Sequence, residues 1–225
     1  MKNNLITFAL IILSATAGIN VAEAQRSGSS FKGYITYNVS FPGSGSDAAQ
    51  SAMLPNKMKV ALNGNKARLE LFMSGVSQII LSDADLQTTI VLADVMGQKL
   101  AVKPNRAERM TAAKEPVVTV TAETRDIAGY KCKKAEIHYG DEKSKESPVI
   151  VWFSEDIGNN RLFYDNEYRT LPGIPMEFTF KLQGMEMFLT AVSVEKGKVS
   201  NKEFEVPSDY KEMTPEQLRQ MFGGY

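Results

Sequence analysis

Between positions 57 and 73 the chain alternates apolar and polar residues on both sides of an Asn-Gly pair. Met58, Val60 and Leu62 interleave with Lys57, Lys59 and Ala61; Ala67, Leu69, Leu71 and Met73 interleave with Lys66, Arg68 and Glu70. Period two places each apolar set on one side of a strand. Asn63-Gly64 between the runs predicts a hairpin, because a type I′ turn needs positive φ at both central residues. A chain written this way is committed to antiparallel sheet with one face on a core, and the same grammar recurs along its length.

Upstream, residues 31–41 alternate with Phe31, Gly33, Ile35, Tyr37, Val39 and Phe41 on one side, and Pro42-Gly43-Ser44-Gly45-Ser46 breaks the run. Residues 47–54 read as a loop with a helical turn over the sheet. Downstream, strands are expected at 76–81, 88–93, 99–102, 117–122, 131–139, 149–153, 176–182 and 185–194, with a turn at Ser82-Asp83-Ala84-Asp85 and another near Met96-Gly97. Residues 104–115 are polar and lack an apolar face, so they read as a connection. Short strands with regular turn signals and no fixed-period repeat point to a barrel, half-barrel or sandwich.

The carboxyl end is written differently. Thr214-Pro215-Glu216-Gln217 puts Thr at the N-cap, Pro at N1 and Gln at N3, a capping box. Met213 and Leu218 take the staple positions, Leu218, Met221 and Phe222 share a face, and Gly223-Gly224 ends the helix. So short a helix is marginal in isolation and is expected to dock as a cover or lid.

At the amino end Lys2, an apolar run over residues 5–15 and Ala22-Glu23-Ala24 follow the order of a cleavable signal peptide. The run is far shorter than the roughly 20 residues that span a bilayer as a helix. The expected organisation is a signal peptide over residues 1–24, a flexible lead-in over 25–30 and one β domain over 31–225. The processed chain is expected in the periplasm or secreted, with no integral membrane segment and, lacking Cys at position 25, no lipid anchor.

Acidic and basic residues balance at 26 each, which removes any electrostatic case for nucleic acid. The single cysteine, Cys132, allows no internal disulfide. The single histidine, His138, shares strand parity with Lys134 and Glu136, the polar side. One His and one Cys cannot assemble the usual zinc centre in a monomer, and no cofactor is expected. No nucleophile elbow, phosphate loop or dinucleotide glycine fingerprint occurs. Glu155-Asp156 and residues 165–167 sit beside asparagines in expected turns, where such residues serve the backbone. Ser82-Asp83-Ala84-Asp85 lacks the glycine and distal Glu of a calcium loop. Lys131, Lys133 and Lys134 flank Cys132 and would favour its thiolate.

Four segments resemble a known group: residues 126–135 (Asp-Ile-Ala-Gly-Tyr-Lys-Cys-Lys-Lys-Ala), residues 151–157 (Val-Trp-Phe-Ser-Glu-Asp-Ile), residues 171–178 (Leu-Pro-Gly-Ile-Pro-Met-Glu-Phe) and residues 210–214 (Tyr-Lys-Glu-Met-Thr). They resemble an uncharacterised family of exported bacterial proteins, itself similar to the outer-membrane lipoprotein carriers with the LolA-like fold. The third segment also resembles a Gly-Leu-Pro-Gly-Leu-Ile motif, with Thr170 and Ile174 in place of Gly and Leu. The resemblance implies a mainly β fold, a strongly curved antiparallel sheet forming a half-open barrel whose concave apolar face is covered by helix or loop. It implies no catalytic residues.

The resulting expectation is a non-enzymatic periplasmic binding protein, a carrier of lipid, acyl chain or lipoprotein. Met58, Val60, Leu62, Leu69, Leu71, Met73, Met176, Phe178, Phe180 and Leu182 line the concave face, and Leu218, Met221 and Phe222 form the docking helix. Met-rich linings accept varied apolar shapes. The alternative is an envelope interaction or assembly module with a packed core and a protein partner, and a third reading is a hydrolase using carboxylates or a Ser-Lys pair.

Overall fold

The computed structural model describes residues 31–42, 54–73, 76–95, 97–104, 116–138, 147–158, 168–182 and 185–222. The expected signal peptide, the lead-in, most of the expected loop at 47–54 and the connection at 105–115 lie outside them. Among the described residues one large, curved, unclosed sheet of twelve strands makes up the fold, with a 3-10 turn at Asn201–Phe204 and one short α-helix after the last strand. The strands are β1 (Lys32–Ser40), β2 (Lys57–Asn63), β3 (Lys66–Met73), β4 (Val76–Asp83), β5 (Thr88–Val95) and β6 (Gln98–Val102), then β7 (Val117–Ile127), β8 (Tyr130–His138), β9 (Val149–Ser154), β10 (Ile174–Leu182), β11 (Met185–Lys196) and β12 (Lys211–Met213). The helix α1 spans Pro215–Phe222.

In space the order is β12-β6-β5-β4-β3-β2-β1-β11-β10-β9-β8-β7. Two meanders, β1 to β6 and β7 to β11, are thus joined mid-sheet by the antiparallel pairing of β1 with β11. All pairings are antiparallel except that of β12, which lies parallel to β6.

The first hairpin forms where expected but with its turn shifted by one residue. Asn63 pairs with Lys66, so Gly64 and Asn65 are the central residues, and only Gly64 has positive φ, at 66°. A glycine at the first central position is the requirement of a type II′ turn, not of type I′. The two-residue turn with both φ positive lies elsewhere, between β7 and β8, where Ala128 (φ 50°) precedes Gly129 (φ 80°). Alanine resists this conformation and asparagine accepts it. Ala128→Asn is therefore expected to stabilise the protein by about 0.5–1 kcal/mol, read as a higher urea midpoint at unchanged slope. A lower midpoint would show that Ala128 packs in a way that outweighs its backbone strain.

The inner face carries the main core. Ile35 and Tyr37 of β1, Met58 and Val60 of β2, Met176 and Phe178 of β10, and Met187 and Leu189 of β11 are buried there with Val151 and Phe153 of β9. Tyr37 donates its hydroxyl to the Pro175 carbonyl at 2.8 Å and meets Phe178 edge-on, with ring centroids 5.8 Å apart. The segment preceding β10 adds Tyr168 and Leu171; Tyr168 packs edge-on against Phe178 and donates its hydroxyl to the Thr179 carbonyl.

The outer face is of two kinds. Across β8 to β11 it is mainly polar, the ordinary consequence of alternation in a one-sided sheet, with Ile150 and Val192 exposed among the polar residues. There Lys134, Trp152, Glu177 and Thr190 stand in register, and Arg125 stacks 4.1 Å from the Trp152 ring centroid while pairing with Glu177. Across β4 to β6 the outer face is covered instead. Ile79, Leu81, Leu92 and Ala101 form a second core beneath Val206 and Tyr210. The covering strap, residues 197–213, is fastened along its length. Tyr34 donates to Glu203 at 2.7 Å, and Asn63 Nδ2 reaches the Val199 carbonyl at 3.2 Å and Asn201 Oδ1 at 3.0 Å. Lys99 pairs with Asp209 at 2.7 Å, and the strap ends as β12 on the sheet edge.

Candidate functional site

Register fixes which side chains share the inner face of β2 to β6. One row crosses Ile35, Val60, Leu69, Ile80, Val91 and Val102; a second crosses Gly33, Leu62, Ala67, Ser82 and Thr89; a third crosses Tyr37, Met58, Leu71 and Gln78. No Lys, Arg, Asp or Glu occupies an inner position in these five strands. Lys57, Lys59, Lys66, Arg68, Glu70, Asp83, Asp94 and Lys99 all have the opposite parity.

Within the first row burial falls off across the sheet. Ile35 and Val60 are buried, whereas Leu69, Ile80, Val91 and Val102 are only half-buried. These four sit on adjacent strands, so their Cα atoms span three inter-strand spacings, about 14 Å. The result is an uncharged apolar stripe, partly open to solvent, on the face that carries the main core.

Of the residues expected to line the concave face, Met58, Val60, Leu62, Leu71, Met176 and Phe178 are at most 5% exposed, and Leu69 and Phe180 are half-buried. The side chains of Met73 and Leu182 lie outside the described residues. Direct cross-strand pairing of Met58 with Leu71, Val60 with Leu69 and Leu62 with Ala67 brings the hairpin's two apolar sets onto one face. Sequence reasoning missed Ile80, Val91 and Val102. They are the middle or last members of the triplets Ile79-Ile80-Leu81, Ile90-Val91-Leu92 and Leu100-Ala101-Val102, which do not alternate because both faces here are apolar.

The capping box of α1 forms as expected: Thr214 Oγ1 accepts from Gln217 N at 3.2 Å, and Gln217 Oε1 accepts from Thr214 N at 2.9 Å. Leu218 is half-buried and Met221 exposed; the Phe222 side chain lies outside the described residues.

The remaining candidates have structural partners. Cys132 is fully buried and its thiol donates to the Tyr130 carbonyl at 3.4 Å. Burial pushes the thiol up to about 11, against the expectation that the adjacent lysines favour thiolate. Lys133 is instead engaged by Glu155 at 3.0 Å and Lys134 by Glu123 at 2.7 Å. Cys132 is therefore expected to resist alkylation by iodoacetamide at pH 8 in the native protein and to label fully in urea; rapid native labelling would mean that the site opens. His138 is exposed, 4.0 Å from Glu136 on the polar side. Asp83 caps its turn, accepting from Asp85 N at 3.0 Å and Leu86 N at 3.1 Å, and the Asp156 amide donates to Ser154 Oγ at 3.3 Å. Among the described residues no three His, Cys, Asp or Glu side chains gather as a metal site, and no helix is long and apolar enough to cross a membrane.

Residues 31–210 match the family described as "Domain of unknown function (DUF4412)". The chain belongs to that family. The match begins just before β1 and ends at Tyr210, so the DUF4412 unit takes in all eleven antiparallel strands and most of the strap. No curated protein matches the chain. Among solved structures it is similar to the crystal structure of MucB, at 7% identity and a TM-score of 0.32 over 79% of this chain. The aligned part is 58% of that structure's length, and a likeness so distant carries no functional reading.

Proposed function

We propose that this DUF4412 protein is a non-catalytic binding protein of the bacterial envelope that holds a single acyl chain against the inner face of β3 to β6. One observation carries the reading: Leu69, Ile80, Val91 and Val102 form a half-buried apolar stripe with no charged residue sharing their face in β2 to β6. Apolar surface left partly in water gains about 25 cal/mol per Å² when a ligand covers it. A stripe of about 14 Å matches an extended chain of roughly ten to twelve carbons, at about 1.25 Å of advance per bond.

Native mass spectrometry of freshly purified protein and titration with a fluorescent dodecanoyl probe test it. Saturable binding is expected, weakened at least about tenfold in Ile80→Glu, which places an unpaired charge on the stripe. Val91→Thr, which keeps the shape and replaces one methyl by a hydroxyl, is expected to weaken binding about threefold. Absence of saturable binding and of co-purified lipid would overturn the reading.

A second reading rests on β7, an edge strand with Val117 59% and Val120 43% exposed. Such an edge can accept a strand from a protein partner. Size-exclusion chromatography with Val120→Lys separates the two readings, since only strand addition would be disrupted.

A further inference from the structure

Ser82 stands on the inner face in β4, two residues along the strand from Ile80 and so about 7 Å from the apolar stripe. It is 8% exposed, and its hydroxyl oxygen is buried without a hydrogen-bond partner. Its cross-strand neighbours are Ala67, the smallest side chain in its row apart from Gly33, and Thr89. A buried hydroxyl with no partner loses its hydration and gets nothing in return, so folded proteins seldom keep one without a use. We propose that Ser82, by a χ1 rotation that turns its buried Oγ toward the stripe, donates a hydrogen bond to an oxygen of the bound ligand, and that this oxygen is uncharged: the ester carbonyl of an acyl chain, not the carboxylate of a free fatty acid. The inference rests on the acyl-chain reading above and adds the chemistry of the head group.

Charge decides between the two head groups. An ionised carboxylate brought to this position would lose its water and meet one hydroxyl, because no inner position of β2 to β6 carries a Lys or Arg. Burying an unpaired charge is far more costly than burying a neutral carbonyl that receives one hydrogen bond. With the carbonyl beside Ser82 in β4, the tail of such an ester passes Ile80 and runs on toward Val91 and Val102.

Competition against the fluorescent probe at pH 8, with monolauroylglycerol and with laurate, tests the assignment in wild type and Ser82→Ala. Wild type is expected to bind the monoester at least about tenfold more tightly than laurate. Ser82→Ala is expected to weaken the monoester about five- to tenfold, leave laurate unchanged, and melt at the same temperature as wild type or higher in the absence of ligand. If wild type binds the probe but prefers laurate, or Ser82→Ala competes as wild type does, the head-group assignment is overturned while the acyl-chain reading stands. A lower melting temperature for unliganded Ser82→Ala would also overturn it, by showing that the hydroxyl serves the fold. If wild type binds no probe at all, both readings fall.

Discussion

An alanine at position 33 is expected to open the sheet at its centre. Gly33 lies in β1 at φ 152°, a backbone conformation that L side chains rarely adopt, opposite Lys196 of β11. A Cβ there would drive into the Glu195 carbonyl oxygen and lie 2.9 Å from Phe31 Cζ. The obstacle on the β11 side is backbone, and β1–β11 is the ladder that joins the two meanders, so relief by a rotamer change is closed. The combination of backbone strain and clash is expected to cost at least about 3 kcal/mol, a large part of the margin of an ordinary domain. Urea unfolding of Gly33→Ala should show a much lower midpoint or a chain that does not fold. A midpoint within about 0.5 kcal/mol of wild type would mean that β11 shifts freely, and that the ladder is looser than its register implies.

Removing the strap is expected to have an effect of similar size by a different route. Truncation after Gly197 would uncover Ile79, Leu81 and Leu92 on the outer face, together with Ala101, and would delete Val206 and Tyr210 that cover them. Each large aliphatic side chain contributes about 1.5–3 kcal/mol through burial. The truncated chain is expected to aggregate or to bind a hydrophobic dye strongly, and Val206→Ala with Tyr210→Ala should reproduce the effect in weaker form. A soluble, monomeric truncation with unchanged melting would show that the second core stands without its cover.

Strand existence was legible wherever only one face is buried. Met58, Val60 and Leu62, or Tyr37 and Val39, advertise themselves because the intervening positions are polar or exposed. The pattern fails where both faces are covered. Ile79-Ile80-Leu81 still reads as a strand, but the sequence does not say which residues face inward, and so the stripe residues Ile80, Val91 and Val102 were left out of the expected lining. The strap was illegible for a related reason. Its contacts are made by single residues such as Glu203, Asp209 and Tyr210 in irregular chain, without a period to detect, and β12 is only three residues long. Leu171-Pro172-Gly173 carries part of the family resemblance, and a side chain at Gly173 would strike the Ser154 backbone. Ser82 was expected in a turn with Asp83, Ala84 and Asp85, but β4 runs on to Asp83 and the turn falls at 84–87; an orphan hydroxyl exists only once a fold has buried it.

The meeting of β1 with β11 in the middle of the sheet also governs when the molecule can fold. Gly33 pairs with Lys196 and Asn38 with Thr190, so a central ladder joins residues more than 150 positions apart in the chain. Contacts of such high sequence separation must close a very long loop first, and proteins dominated by them fold slowly. A chain emerging amino-terminus first presents β1 to β6 as a meander whose first strand has an open edge, and that edge is not capped until position 196 has appeared. Completion of the central ladder is therefore expected to wait until β11 has been synthesised. A chain of this topology should remain pliable through synthesis until its eleventh strand arrives.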